Sequence, residues 1–303
     1  MKLSQIKLTG ITITLLVLCN TLFSQPDKEL FSDMTARSIG PAGMSGRIAD
    51  IEVVENNTDI IYIGAATGGL WKSKNGGVTW DPIFDKQPVS SIGAVSVYQK
   101  NPNIIYAGTG EGNPRNSVGV GYGIYKSLDG GKTWKYIGLK TTQKIHRVII
   151  HPNNPDVVYA AALGPTWKPH EERGVYKTTD GGKTWKKILY KNDLAGCADL
   201  VMDPSNPNKL FAAMWQHQRW PWFFKSGGEG SGLFRTYDGG ETWTEITHGD
   251  GLPKGKLGRI GLAIARNNPD FVYALVEAKD NCLCRSEDGG HSWKIINSEE
   301  GVN

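Results

Sequence analysis

The sequence is poor in cysteine, in net charge and in long apolar runs, and each shortage excludes a class of protein. Its 303 residues include only four cysteines, without the Cys-x-x-Cys or Cys/His spacing of a metal site. The formal net charge is +4 at pH 7, too close to neutral to indicate a nucleic-acid partner. We therefore expect no metal, no cofactor and no nucleic-acid ligand.

One apolar run stands near the amino terminus, where residues 11–18 follow two lysines. It is shorter than the roughly 20 residues that a spanning helix needs, and Ser24 is a small residue suited to precede a cleavage point. Residues 1–24 are therefore predicted to be a signal peptide, and the protein to be secreted, periplasmic or on the cell surface, without a membrane span. A lipid-anchored Cys19 is the alternative, which the bulky Leu18 disfavours.

The composition that remains favours many short strands. The chain has 38 glycines, 10 tryptophans and 11 tyrosines, and 39% of it is hydrophobic, enough to bury a core. Without residues 1–24 two lysines are lost, so the formal charge falls to +2. Three cysteines then remain, Cys197, Cys282 and Cys284, and we expect them to be small core residues. The first expectation is an all-β protein.

A repeat of eight residues, Ser/Thr-x-Asp/Asn-Gly-Gly-x-Thr/Ser-Trp, organises the chain. We call each copy a box. The five boxes are Ser73–Trp80, Ser127–Trp134, Thr178–Trp185, Thr236–Trp243 and Ser286–Trp293. Their tryptophans follow one another at intervals of 54, 51, 58 and 50 residues. A period of this length is typical of solenoids and propellers.

Each period has the pattern of four strands, with the box between the third and the fourth. In the second copy the predicted strands are residues 92–98, 104–108, 123–127 and 134–137. The sequence thus predicts a β-propeller with five four-stranded blades. The predicted blades are 46–86, 87–140, 141–191, 192–248 and 249–303. Residues 25–45 form an extension that could close the ring, and the alternative is that the chain is truncated from a larger propeller.

The residues of the box can stabilise a tight turn without any ligand. A Ser/Thr hydroxyl and an Asp carboxylate can bond the amides of the turn, the glycines supply positive φ, and the tryptophan covers the hairpin. We therefore expect a structural role for Asp129, Asp180, Asp238 and Asp288. Asn75 in the first box supports this role, since it keeps the turn chemistry without a charge.

These boxes resemble the BNR or Asp-box repeat, and the blade pattern is similar to sortilin-type propellers and their exported bacterial relatives, often labelled glycosyl hydrolase-like. The resemblance extends over residues 45–296. It implies the propeller fold but not one function, because the repeat also occurs in sialidases, xyloglucan-cleaving enzymes, peptide-sorting receptors and photosystem assembly factors.

Three long loops indicate where a ligand would bind. Loops between the second and third strands emerge on one face, which we call the loop face, and the boxes emerge on the other, the box face. The long loops are residues 109–122, 163–173 and 214–231, in neighbouring blades. Their aromatic and polar residues suit a sugar or peptide ligand. The predicted ligand-binding residues are Glu111, Asn113, Arg115, Asn116, Trp167, His170, Arg173, Trp215, His217, Arg219 and Trp222; the alternative is that such aromatics only pack the loops.

Two arginines start inner strands, Arg47 in blade one and Arg259 in blade five. Where they line the central channel of the propeller, they could hold a carboxylate or pair with neighbouring backbone carbonyls, and the sequence leaves both open. His146 and His151 flank a strand without a metal-like partner set, so we interpret them as ordinary surface or rim histidines.

Whether the protein is an enzyme depends on its carboxylates. A glycosidase needs two acids across the scissile bond, and Glu111, Glu171, Glu172 and Glu229 are available on the loop face. The resemblance to xyloglucanases implies a catalytic Asp after the second strand of the first blade, where this sequence has Ala66. The leading hypothesis is a non-catalytic propeller that binds a glycan, peptide or protein. The alternative is a glycoside hydrolase of xyloglucanase or sialidase type, with catalytic residues unassigned.

Overall fold

The computed structural model describes Glu29 and residues 47–115, 118–249, 251–299 and 301. The chain divides into two compact units, residues 1–39 and 40–303. The predicted signal peptide lies outside the described residues, as does the predicted extension at 25–45 apart from Glu29. All that follows concerns the second unit.

The second unit consists of short antiparallel strands arranged in five sheets. In chain order the strands are β1 (Ile48–Val53), β2 (Ile61–Ala65), β3 (Gly69–Ser73), β4 (Asp81–Pro82), β5 (Ile92–Val97), β6 (Ile105–Thr109), β7 (Ile124–Ser127), β8 (Lys135–Tyr136), β9 (Ile145–His151), β10 (Asn154–Ala162), β11 (Gly174–Thr178), β12 (Lys186–Leu189), β13 (Ala195–Met202), β14 (Leu210–Trp220), β15 (Phe223–Ser226), β16 (Gly232–Thr236), β17 (Thr244–Glu245), β18 (Ile260–Ile264), β19 (Val272–Val276), β20 (Cys282–Ser286) and β21 (Lys294–Asn297).

The sheets are the blades of a propeller, which confirms the predicted fold class. Blade one is β1–β4, blade two β5–β8, blade three β9–β12, blade four β13–β17 and blade five β18–β21. Their first strands lie beside one another in chain order. A short 3-10 helix covers Lys140–Thr142, and no helix in the described residues is long and apolar enough to cross a membrane.

The core lies between blades, because each sheet buries apolar residues on the face towards its neighbour. Four core clusters join successive blades, and each contains an aromatic residue of a second strand together with an apolar residue of the next blade: Tyr62 with Ile105, Tyr106 with Val158, Tyr159 with Leu210, and Phe211 with Val272. The remaining faces of blades one and five carry exposed apolar side chains, including Ile51 and Leu275.

The inner strands are sheet edges, and acids of the preceding blade cap their free amides. Val95 N donates to Asp50 Oδ2 at 2.8 Å and Val97 N to Glu52 Oε1 at 3.3 Å, from blade two to blade one. Leu262 N donates to Asp199 Oδ2 at 2.9 Å, from blade five to blade four. These bonds satisfy backbone groups that would otherwise be unpaired at an edge.

The boxes form the turns that the sequence predicts. In the second box, Gly131 N donates to Ser127 Oγ at 2.9 Å, and Thr133 donates to Asp129 through its amide (2.9 Å) and its hydroxyl (2.6 Å). These bonds, led by the Thr133 hydroxyl, lower the pKa of Asp129 to about 2. In the first box the amide of Asn75 instead donates to Thr79 Oγ1 at 2.9 Å, so a neutral side chain closes the same turn.

We therefore expect Asp180→Asn to preserve the third box and Asp180→Ala to lower the thermal midpoint. Hydrogen bonds from Thr184 and Thr178 lower the pKa of Asp180 from 3.8, so its contribution to stability is present above about pH 4 and is lost as the pH falls through its lower folded value. Thermal unfolding between pH 2 and 7 measures both effects. Asp280→Asn, an exposed acid outside the boxes, is the control, and equal losses in the two Asp180 variants would contradict the turn-closing role.

Blade four departs from the predicted pattern. The sequence predicts a loop over residues 214–231, but β14 continues to Trp220 and pairs with β15, with Arg219 opposite Phe224 and Trp220 opposite Phe223. We call this hairpin, residues 217–226, the arm. The residues of β14 beyond Gln216 pair with neither β13 nor β16, so they are available to pair with β15.

Candidate functional site

The two faces of the blades differ as the strand order requires. In every blade an amide of the box donates to a carbonyl at or just before the start of the second strand, as in Gly130 N to Asn103 O at 3.0 Å; in blade three the acceptor is Asp156 O, near the start of β10. The boxes and the starts of the second strands therefore share the box face. The three long loops and the beginnings of the inner strands meet at the opposite end, on the loop face.

Glu111 in the loop of blade two is turned inward. Its side chain is buried and forms an ion pair with Arg47, which immediately precedes β1 in blade one. Asn113 in the same loop accepts a hydrogen bond from Arg259, and Arg115 is exposed. Asn116, also predicted to bind the ligand, lies outside the described residues.

Arg259 connects four blades at the mouth of the channel. Its guanidinium donates to Asn113 Oδ1 of blade two at 2.8 Å and lies 2.7 Å from His146 Nε2 of blade three. It also sits over the ring of Trp215 in blade four, 5.4 Å from the centroid. Arg47 holds a carboxylate, as one alternative predicts, and that carboxylate is Glu111 of blade two. Arg259 matches neither alternative, because it contacts neutral side chains of other blades.

The loop of blade three is held by Arg173. This side chain is fully buried and donates to three carbonyls of its own loop: Leu163 O at 2.9 Å, Pro165 O, and Lys168 O at 3.2 Å. Trp167 between these carbonyls remains 42% exposed. The arrangement gives Arg173 a positioning role and presents Trp167 to solvent.

The acids and the histidine of this loop lie nearer its outer side. His170 is partly exposed, its amide donates to Asp193 O at 2.8 Å, and its Nδ1 accepts from Glu172 N at 3.1 Å. Glu172 also accepts from the hydroxyl of Tyr176. Glu171 is exposed, and its carbonyl accepts from Lys187 of the outer strand.

Of the two predicted tryptophans of blade four, one is buried and one is exposed. Trp215 is buried and stacks on His217, with ring centroids 4.3 Å apart. Trp222 occupies the tip of the arm and is 83% exposed. The arm is tied to blade three because Arg219 N donates to Thr166 O at 3.0 Å, while the Arg219 guanidinium lies over the Phe224 ring.

Buried basic side chains accumulate beneath the loop face. Burial, with Arg173 and Lys144 nearby, lowers the pKa of His217 to about 3, and burial lowers the pKa of His146 well below its usual value. Lys144, which bonds Thr166 Oγ1, has its pKa lowered to about 7 by burial and by Arg173. Both imidazoles are therefore neutral at pH 7, and this part of the protein disfavours further positive charge.

The carboxyls with raised pKa values in the described residues lie in the channel. Burial raises the pKa of Glu52 to about 7 and also raises that of Asp50. Both accept edge amides, so they have structural partners. Ala66, at the position where the resemblance implies a catalytic Asp, is buried and its amide donates to Arg47 O at 2.8 Å.

Sequence reasoning missed several residues of this site. Lys144 and Thr166 form a buried pair, and Glu277 Oε2 accepts from both Ser226 Oγ and Arg259 N at 2.7 Å. One signal was available for Lys144, since it aligns with Arg47 and Arg259 immediately before an inner strand. No group of three or more His, Cys, Asp or Glu that could hold a metal ion occurs in the part of the chain that the structure describes.

Comparison with known proteins confirms the sortilin-type resemblance and adds enzymes. A family profile described as "Sortilin, neurotensin receptor 3" matches residues 122–251. A xyloglucanase of Paenibacillus sp. is 27% identical over 67% of this chain, and a xyloglucanase of Acetivibrio thermocellus is 28% identical over 84% of it. The chain spans only 21% and 38% of the lengths of these two relatives.

Solved structures support the fold. The crystal structure of an ancestral GH74 enzyme superposes with a TM-score of 0.63 at 19% identity, over 86% of this chain and 33% of that one. At this identity the similarity shows the propeller architecture alone.

Proposed function

We propose that the loop face binds a glucan of the xyloglucan type and that the protein forms part of an exported glycoside hydrolase. The observation that carries the proposal is the pair of exposed tryptophans, Trp167 and Trp222, on two loops that a backbone hydrogen bond joins. Exposed rings of this kind stack on the apolar faces of sugars. The relatives named as xyloglucanases supply the substrate class.

The predicted site residues fall into two groups under this proposal. Trp167, Trp222 and Arg115 would contact the glucan, since they are exposed. Glu111, Arg173, Trp215 and His217 are buried and would position the loops around it. The exposed acids on this face, Glu171 and Glu229, come from different blades and are the candidates for the chemistry.

Binding without hydrolysis is the second candidate function. It is favoured by Ala66, whose methyl group replaces the acid that the xyloglucanase resemblance implies, and by the Arg47 pairing that occupies Glu111. A carboxylate held by a guanidinium is stabilised in its ionised form and is a poor general acid. Under this candidate the same face retains a polysaccharide at the cell surface or outside it.

Xyloglucan binding and reducing-end release, measured on the same protein, test these functions. We expect retention in affinity electrophoresis, and we expect Trp167→Ala combined with Trp222→Ala to weaken it about tenfold, since roughly 1.4 kcal/mol of stacking corresponds to that factor. Tyr237→Ala, which removes an exposed ring on the box face, should bind like the unaltered protein.

The outcomes separate the candidates. Release of reducing ends that Glu171→Gln or Glu229→Gln abolishes supports the hydrolase. Retention without release supports the binding function. Failure to retain xyloglucan, or equal retention by the tryptophan variant and the unaltered protein, overturns the proposed role of the loop face.

A further inference from the structure

A wide cleft opens on the loop face between blades four and five. Its volume is about 770 Å3. Three segments line it: residues 225–229 at the end of the arm, residues 254–258 before β18, and residues 277–279 between β19 and β20. The amide side chains of Asn192 and Gln216 lie on its remaining side. The cleft is therefore polar and large enough for more than a single small ion.

Four lysines surround this cleft without acidic partners. They are Lys225, Lys254, Lys256 and Lys279, all exposed. None makes an ion pair with a described residue, whereas lysines elsewhere, such as Lys186 and Lys191, pair with Glu241 and Glu245. Four ammonium groups that share one cleft attract anions.

The acids in the lining do not cancel this charge. Glu277 already accepts two hydrogen bonds at 2.7 Å through Oε2, from Ser226 Oγ and Arg259 N. A Cβ at Gly258 would lie 2.2 Å from this carboxylate, so the lack of a side chain there permits the contact. Glu229 is the other acid of the lining, which leaves four lysines against two glutamates.

We propose that this cleft binds a negatively charged glycan whose carboxylates are those of uronic acid residues. The lysines would pair with successive carboxylates as point charges, and the amides would bond hydroxyl groups. Continuity with the arm favours a sugar chain over an isolated anion, because Lys225 belongs to β15, beside the exposed tip at Trp222. The proposal goes beyond the proposed function, since a neutral xyloglucan does not require these charges.

Titration calorimetry of the full chain with oligogalacturonate tests the proposal. We expect Lys254→Gln combined with Lys256→Gln to weaken binding at least tenfold, and binding of the unaltered protein to weaken as salt is raised from 50 to 500 mM. Lys132→Gln combined with Lys183→Gln, exposed lysines of the box face, is the matched control and should bind normally. Retention on xyloglucan should be the same for all three proteins.

Two results would overturn the proposal: oligogalacturonate binding equally weakened by the control substitutions, or polyglutamate bound as tightly as oligogalacturonate, which would indicate general attraction of polyanions. A failure to retain xyloglucan would not affect the oligogalacturonate measurement, because xyloglucan is neutral and its binding is attributed to the tryptophans. Circular dichroism of each variant confirms that the glutamine substitutions leave the fold intact.

Discussion

Arg173→Met should lower the free energy of unfolding by about 3 kcal/mol or more and the thermal midpoint by about 5 °C or more. Methionine replaces the aliphatic part of the Arg173 side chain with one of similar length, but it leaves the carbonyls of Leu163, Pro165 and Lys168 without their donor. The first two of these residues are buried, and each buried carbonyl left unpaired costs about 1–3 kcal/mol. Urea unfolding and calorimetry measure the loss.

The exposed Lys168 on the same loop provides the control. Lys168→Ala removes a long side chain at nearly no cost to stability, because surface substitutions away from special contacts change stability by about 0.5 kcal/mol or less. A fully stable Arg173→Met variant that fails to bind xyloglucan would contradict the positioning role. It would restore the prediction that Arg173 contacts the ligand directly.

The blades could be predicted from the sequence because local rules determine them. In blade two the predicted strands at 92–98, 104–108, 123–127 and 134–137 correspond to β5–β8 within two residues at each end. Turn residues mark the ends of these strands, and the box recurs with its own hydrogen bonds inside eight residues. Neither feature requires knowledge of distant contacts.

The arm could not be predicted in the same way. Its strands pair through residues on either side of Pro221 and Trp222, and proline within a run argues against a strand. In the structure the proline stands in the two-residue turn, where no ladder bond is needed. The pairing of β14 with β15, up to Trp220 opposite Phe223, shows this placement.

The orientation of the site residues is the other feature that sequence could not provide. Their positions in the long loops identified Glu111, Trp215 and His217 as candidate site residues. The burial of their side chains, however, depends on partners in other blades. Asn113 and Arg259 are 146 residues apart in the chain and 2.8 Å apart in the structure. Such contacts follow from how blades pack, so a sequence pattern can select the face without showing which side chains reach solvent.

Lys144→Met should make the protein more stable than the unaltered chain at pH 6, by about 4 kcal/mol, with the difference shrinking as the pH rises. Burial and Arg173 lower the pKa of Lys144 from 10.5 to about 7 in the folded protein. Between these values the unfolded chain binds the extra proton, so the stability of the unaltered protein rises with pH by about 1.4 kcal/mol per unit. Below pH 7 Lys144 is charged in the folded protein as well, so the full free-energy cost of burying that charge is present.

The comparison across pH separates this charge effect from simple packing. Above about pH 10.5 the lysine is neutral in both states, and the variant should be less stable by about 1 kcal/mol because it lacks the bond to Thr166. Urea unfolding at pH 6, 8 and 11 gives the three points, with Lys168→Met as the exposed control. A difference independent of pH would show that Lys144 keeps an ordinary pKa. The expected slope instead arises because burial and the nearby Arg173 disfavour the charge on Lys144, whose partner is the neutral hydroxyl of Thr166.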